Sequence, residues 1–400
     1  MNERNGSAVP GYAIGVDLGT SNTVAVLRWP DGRTRTLLFD GAPVMPSGVF
    51  AAADGRLVAG RDALRLAGSD PARFEPNPKR RIDEPVVLLG DREVPTVDLL
   101  AALLVVVAAA AVEAVGFLPP AVLTFPAAWG PQRRATLLAA AQRAGWPPPA
   151  LVPEPVAAAR YFASVLRRPV PVGAAIAVFD FGGGTVDIAV VRNEGWSGGP
   201  SRDGGADGGQ RFVVLGSGGI GALGGLDIDA ALVSHLGALI GSAAPLLWLA
   251  LTDPGTPAQR RDRRRFWDEV RGAKEMLSRA STAPVAVPGR DDALHLTRAE
   301  LERLAEPLLN RAVAEATAVI ARCGLRPDQL AGLFLVGGAS RMPAVARLLH
   351  VGTGIAPTVL EQPELPVAEG ALVDLATQVS ATLTSGGPGG GAPGGGGPAG

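Results

Sequence analysis

Residues 179–191 read FDFGGGTVDIAVV: three consecutive glycines between two aspartates, a threonine behind them and apolar residues on both flanks. Each glycine loses more backbone freedom on folding than any other residue, so such a run is costly unless something must approach the backbone closely. Residues 13–27, AIGVDLGTSNTVAVL, follow the plan of 177–191, AVFDFGGGTVDIAVV: apolar strand, Asp, Gly-containing turn, Thr, apolar strand. A related element with a different ending is LFLVGGASRMP at 333–343. Two copies so far apart predict a duplicated lobe. Their turns can then close on one ligand from both sides of a cleft.

The chemistry of these turns suits phosphate. Successive backbone N–H groups in a glycine turn form a nest for anions. Thr20 and Thr185 add hydroxyl donors. Aspartates beside such a nest repel phosphate unless a hard cation lies between, and Mg2+ is held by few carboxylates, several waters and phosphate oxygens. Asp17, Asp180 and Asp187 are therefore candidate magnesium-water anchors. An ordinary hairpin would also accommodate one glycine run; two copies with matching acids and threonines favour the cradle.

The composition narrows the field. The chain has 400 residues, 37 basic and 38 acidic groups and a formal charge of −1, which gives no reason to invoke nucleic acid or an anionic membrane. One cysteine, Cys323, excludes an internal disulfide and suits a reducing compartment. The N-terminus shows no signal-peptide pattern. The most apolar run, Leu99–Val112, falls short of the roughly 20 apolar residues a spanning helix needs and reads as a buried helix. The expectation is a soluble cytoplasmic protein. The three histidines are scattered, no zinc spacing exists and no G-x-S-x-G elbow is present. Gly216-Ser-Gly-Gly-Ile-Gly221 fits G-x-G-x-x-G, but the acids that follow come too early for a dinucleotide fingerprint. The basic run at 259–277 reads as a solvated helix face.

Hydrophobic patterning predicts strands at 12–17, 23–28, 121–125, 176–180, 187–192, 211–215 and 332–336. It predicts helices at 96–115, 131–144, 154–166, 227–240, 258–279, 297–323 and 343–350. The mixture argues for α/β. EGWSGGPSRDGGADGGQ (194–210) reads as a long exposed hairpin loop, and the glycine- and proline-rich end as a flexible tail.

Taken together, these motifs resemble the ATPase domain of the heat shock protein 70 (DnaK-like) chaperones, in order from about Tyr12 to Thr377. Gly15-Val-Asp-Leu-Gly-Thr-Ser-Asn22 resembles the first phosphate loop and Asp180-Phe-Gly-Gly-Gly-Thr-Val-Asp187 the second. Pro78-Lys79-Arg80 resembles the segment of the catalytic lysine. AVLTFPAAWGPQRRAT (121–136) and PEPVAAA (153–159) resemble the two lobe-connecting segments, and LGGLDID (223–229) a further signature. AKEMLS (273–278) and LVGGASRMP (335–343) resemble the adenosine-binding helix and loop.

The resemblance implies an actin-like ATPase fold: duplicated ribonuclease-H-like lobes around a nucleotide cleft. Lobe I is expected at 12–167 and lobe II at 168–380, between a flexible N-terminus at 1–11 and a disordered tail at 381–400. It implies ATP or ADP with Mg2+, and K+ as a further candidate cation. Lys79, Glu154, Thr185 and Asp187 take the catalytic places; Asp17, Asp180 and Asp187 hold metal. Gly19, Thr20, Ser21, Asn22, Gly182, Gly183, Gly184, Lys274, Ser278, Gly337, Gly338 and Arg341 contact nucleotide. Pro126 and Arg133 match positions that relay nucleotide state between lobes. Implied partners are a nucleotide-exchange factor, a co-chaperone or a client-binding protein.

The sequence departs from the family pattern at Arg271 and Glu275 in the adenosine helix, at Ala339, at Ala128 and at Leu226. The family's linker and peptide-binding domain are not expected in this chain. Three readings stay open: a slow chaperone-type ATPase, a nucleotide-gated interaction module with little hydrolysis, and another actin-like ATPase, small-molecule kinase or filament former.

Overall fold

The computed structural model describes residues 11–195 and 210–373. The expectations for the N-terminal segment, for most of the 194–210 loop and for the tail lie outside these residues. Two sheets organise the chain. The first contains β1 (Ala13–Leu18) and β2 (Asn22–Arg28), joined by the Gly19–Ser21 turn, with helix α1 (Thr96–Val115) packed beside them. Strand β3 (Ala121–Phe125), helix α2 (Pro131–Arg143), strand β4 (Ala150–Pro153) and helix α3 (Glu154–Arg160) follow. The second sheet contains β5 (Ala175–Phe181), β6 (Val186–Asn193) and β7 (Phe212–Ile220). Helices α4 (Gly225–Ala243), α5 (Pro257–Leu277) and α6 (Arg298–Arg322) lead to β8 (Leu330–Val336), α7 (Pro343–Thr353) and α8 (Pro366–Gly370).

The two sheets repeat one topology. β1 pairs antiparallel with β2 and parallel with β3; β5 pairs antiparallel with β6 and parallel with β8. Side chains alternate across a strand with period two, and this decides the rest. Ile14, Val16 and Leu18 enter the core under α1 and α2, so Ala13, Gly15 and Asp17 face the other way. Phe179, Phe181, Val186 and Ile188 enter the core under α4 to α7, so Val178, Asp180, Asp187 and Ala189 face back toward the first sheet. A third apolar layer lies between the sheets, from Val24, Val122 and Val152 to Val178, Val191 and Phe334. The same alternation that fills this layer with valine thus delivers three aspartates to its open end. Helix α8 brings the chain back to this layer: Arg28 donates to Leu372 O at 3.1 Å and Thr34 to Glu369 Oε1 at 2.8 Å.

Helix α1 keeps its expected bounds. Leu99, Leu100, Leu103, Leu104 and Val107 recur at three- and four-residue spacing and are fully buried against the first sheet. Each contributes about 1.5–3 kcal/mol relative to exposure. The helix ends at Gly116 in the left-handed region, φ 82°, where glycine avoids the Cβ penalty. The 14-residue apolar run sits inside a 20-residue helix with mean hydropathy 2.3, long and apolar enough by length and composition to cross a membrane. Its buried face is that of a core helix.

Strand β7 is longer than the expected 211–215. It runs on to Ile220, through the glycines of the G-x-G-x-x-G match, and a helix opens only at Gly225. The glycines let α6 lie close: a Cβ on Gly216 would sit 2.7 Å from Cys323 Sγ, and one on Gly218 2.7 Å from Val319 Cγ2. Packing, not phosphate, accounts for them.

Candidate functional site

The two glycine turns meet. A side chain on Gly183 would collide with the Ser21 hydroxyl and stand 3.0 Å from Ser21 Cβ; one on Gly184 would stand 3.1 Å from the Thr20 methyl group. The turn of the second hairpin thus lies against the turn of the first, with no room for a Cβ at Gly183 unless Ser21 moves. Each turn is braced from its own side. Ser47 Oγ donates to Gly19 O at 2.9 Å, and Ser47 N to Ser21 O at 2.9 Å. Gly182 N donates to Thr185 O at 3.1 Å. The start of α4 is bonded to the second turn, with Gly225 N on Gly182 O at 3.0 Å and Leu226 N on Gly183 O at 2.7 Å. Asn22, the first residue of β2, is exposed at the rim.

Beneath the turns lies an acid cluster. Asp180 and Asp187 are directly opposed across the β5–β6 pair. Asp17, at the end of β1, accepts from Thr124 Oγ1 at 2.9 Å. Lys79, on the short turn Pro78–Arg81, donates to Glu154 Oε1 at 2.8 Å, and both are buried. Glu154 opens α3, where the N-terminal dipole favours a carboxylate. A partly open hollow adjoins the cluster, lined by Glu154, Asp180, Asp187 and apolar residues including Ala128.

Four carboxylates against one ammonium set the electrostatics. Burial pushes Glu154 up to about 7; Lys79 opposes the rise, and Asp17 and Asp187 add to it. Asp180 is driven well above the carboxylate range by burial and by Glu154, Asp187 and Asp17. Burial also raises Asp17, against Lys79 and Thr124, and Asp187, against a hydrogen bond from Thr185 and the charge of Lys79. Burial works to depress Lys79, but Glu154, Asp17 and Asp187 outweigh it and hold the ammonium above its ordinary value. Such a cluster is short of positive charge. Its donors are all oxygens, the set that Mg2+ takes. Among the described residues no three acids, histidines or cysteines close into a metal cage.

The second lysine stands across the cleft. Lys274 Nζ pairs with Asp229 at 2.7 Å and donates to Gly225 O at 2.8 Å, which ties α5 to the start of α4. Asp229 is 1% exposed and also receives Arg271 at 3.5 Å. Ser278 caps the C-terminal end of α5. Gly337 has φ 85° and its position abuts Asp180 Oδ1, so the loop after β8 walls that acid. Gly338 is exposed within it, and Arg341 turns away to pair with Glu364.

Asp229 and Trp129 were not singled out from sequence. One signal was available. Lys79 and Lys274 are the only lysines in a chain of 37 basic residues; all the others are arginine. Both face the cleft from buried ion pairs. An ammonium is a compact point charge and a guanidinium a planar fork, so the two are not interchangeable at such sites.

Comparison with known proteins gives the same answer. The family model for the Hsp70 protein matches residues 75–382. The chain is 34% identical over 387 residues to a chaperone protein HscA homolog of Bordetella petrii, covering 90% of this chain and 57% of that one. A chaperone protein HscA homolog of Azotobacter vinelandii is 31% identical, over 84% of this chain and 53% of its own length. A chaperone protein DnaK of Cenarchaeum symbiosum is 28% identical, over 85% and 50%. The chain thus spans about half the length of these relatives. With its repeated sheets and facing turns, its α/β fold is actin-like, and the chain belongs to the Hsp70 family.

Proposed function

We propose that this chain binds ATP with Mg2+ in the cleft between lobes 12–167 and 168–380 and hydrolyses it slowly. The resulting opening and closing of the lobes would drive chaperone-related work in the cytoplasm. The observation that carries the reading is the contact of the Gly183 and Ser21 turns over the Asp17, Asp180 and Asp187 cluster. Backbone N–H groups of Gly19–Ser21 and Gly182–Gly184 cradle the phosphates, and Thr20 and Thr185 donate hydroxyls to them. Asp17, Asp180 and Asp187 would hold Mg2+. When bound, the ion neutralises phosphate charge. K+ is a further cation the acid-rich floor suits.

Lys79 faces the γ-phosphate and offsets charge that develops there. Glu154 orients the attacking water, and a carboxylate with pKa about 7 can accept its proton near neutral pH. Lys274, Ser278, Gly337, Gly338 and Arg341 form the nucleoside end. Lys274 acts there from a fixed position, because Asp229 and Gly225 O hold it. A nucleotide-exchange factor or co-chaperone and a client-binding protein are the partner classes this cycle calls for.

Single-turnover hydrolysis by the wild type and by Lys79→Ala tests the reading. Loss of about 10²–10⁴-fold in the variant is expected for a group acting at the reacting phosphate. Equal rates would remove Lys79 from the chemistry. Phosphate release only when a sugar or other acceptor is added would make the chain a kinase.

A further inference from the structure

Lys79 meets more than a carboxylate. Its Nζ lies 5.5 Å from the centroid of the Trp129 ring, within the ~6 Å over which an indole face attracts an ammonium. Both side chains are buried, so water screens this contact little. Glu154 holds the same ammonium at 2.8 Å. Trp129 belongs to the turn between β3 and α2, where its backbone N–H donates to Pro126 O at 2.9 Å. The segment reaches the lysine's own stretch a second time: Arg133 donates to both oxygens of Asp83, at 2.8 and 2.6 Å. Asp83 lies just past the turn that carries Lys79. One connecting segment thus fixes both the ammonium and the backbone beneath it. A lysine has four rotatable side-chain bonds, and Asp17 and Asp187 also attract this one. Glu154 alone leaves its direction open.

We infer that Trp129 is a positioning residue for Lys79: its indole face holds the ammonium against Glu154 and so sets the direction in which Lys79 faces the phosphate floor. The catalytic half of this inference rests on the proposed ATPase reading; the hold on the ammonium stands without it.

The two lysines make the test clean. Acylation by acetic anhydride, followed by peptide mass spectrometry, reports Lys79 with Lys274 as internal reference. In the nucleotide-free chain, Trp129→Met should speed Lys79 acylation on the order of tenfold, the weight of a desolvated cation–π contact. Trp129→Phe keeps an aromatic face and should stay within about threefold of wild type. Single-turnover hydrolysis should fall in the same ratio in Trp129→Met, with the nucleotide Kd unchanged. Unaltered acylation in Trp129→Met, or Phe and Met variants that behave alike, would overturn the inference. Fluorinated tryptophan, incorporated biosynthetically, covers the case where Trp129→Met fails to fold: it keeps the ring's shape and drains its electron density. Lys79 acylation should climb with each added fluorine, and a flat series overturns the hold. If wild type does not turn over ATP while acylation still follows the ring, the ATPase reading falls and the hold on Lys79 stands.

Discussion

The chain holds two buried lysine–carboxylate pairs of nearly equal length, Lys79–Glu154 at 2.8 Å and Lys274–Asp229 at 2.7 Å. Their surroundings are opposite. Around Lys79 stand Glu154, Asp17, Asp180 and Asp187, and each of these acids is pushed upward. Around Asp229 stand Lys274 and Arg271. The first group of side chains is short of cations and the second is short of anions. Equal geometry therefore does not mean equal purpose. The first pair is poised to take up a cation together with phosphate, whereas the second fixes helix α5 to the start of α4.

The variant expected to break this picture most severely is Gly183→Val. Its side chain occupies the place of the Ser21 hydroxyl and parts the two turns. The added side chain should also block the approach of a phosphate to the turn, so ATP affinity should fall about tenfold or more, measured by calorimetry. Both lysine pairs should survive it. Unchanged affinity would deny the turns their role as a cradle.

Truncating either pair comes next. Lys79→Ala and Asp229→Asn each leave buried charge uncompensated and should cost about 3–5 kcal/mol in denaturant unfolding. Glu154→Gln sharpens the contrast. It removes one like charge from a crowded set, so it should destabilise the nucleotide-free protein clearly less than Asp229→Asn does. Equal losses would mean that the two environments do not differ.

The dependence on pH separates the two groups further. A carboxylic acid with a higher pKa folded than unfolded binds more protons in the folded state between the two values, so raising the pH across that window costs stability. For Glu154 the window runs from 4.5 to about 7. The nucleotide-free protein should melt at progressively lower temperature as pH rises through it, and Glu154→Gln should flatten that slope. Lys79, raised above 10.5, keeps its contribution throughout the window and loses it as pH rises from 10.5 through its folded value. A melting temperature that climbs with pH instead would contradict the acid-crowded group.

The smallest effect belongs to Arg133→Ala. The Arg133–Asp83 pair is largely exposed, at 41% and 61% of the side chains. Its loss should cost at most about 1 kcal/mol of stability.

Much of the fold was legible in the sequence because alternation is a local property. The run from Ala13 to Leu18 tells which residues face the core, and with that where Asp17 points. The same holds for Asp180 and Asp187. The bounds of α1 were legible because its apolar spacing is uninterrupted from Leu99 to Val107 and a glycine ends it. Other features depend on partners distant in sequence. Strand β7 continues through Gly216–Gly219 because α6 packs over it, which no local pattern announces. Helix Pro245–Thr252 was missed: its Trp248 packs against Gly237 of α4, a contact that only the tertiary fold supplies. Asp229 sits in a stretch whose acids look alike, yet Asp227 caps the start of α4 through Gly224 N while Asp229 pairs with Lys274. Only the neighbouring helix distinguishes them.

The central claim is that two facing glycine turns grip one magnesium triphosphate. Calorimetric titration of the wild-type chain with ATP, with and without Mg2+, tests it most directly. Saturable one-to-one binding that weakens about tenfold or more without Mg2+ is expected, because four crowded carboxylates then repel the bare phosphates. Equal affinity with and without the ion, or no binding at all, would contradict the account.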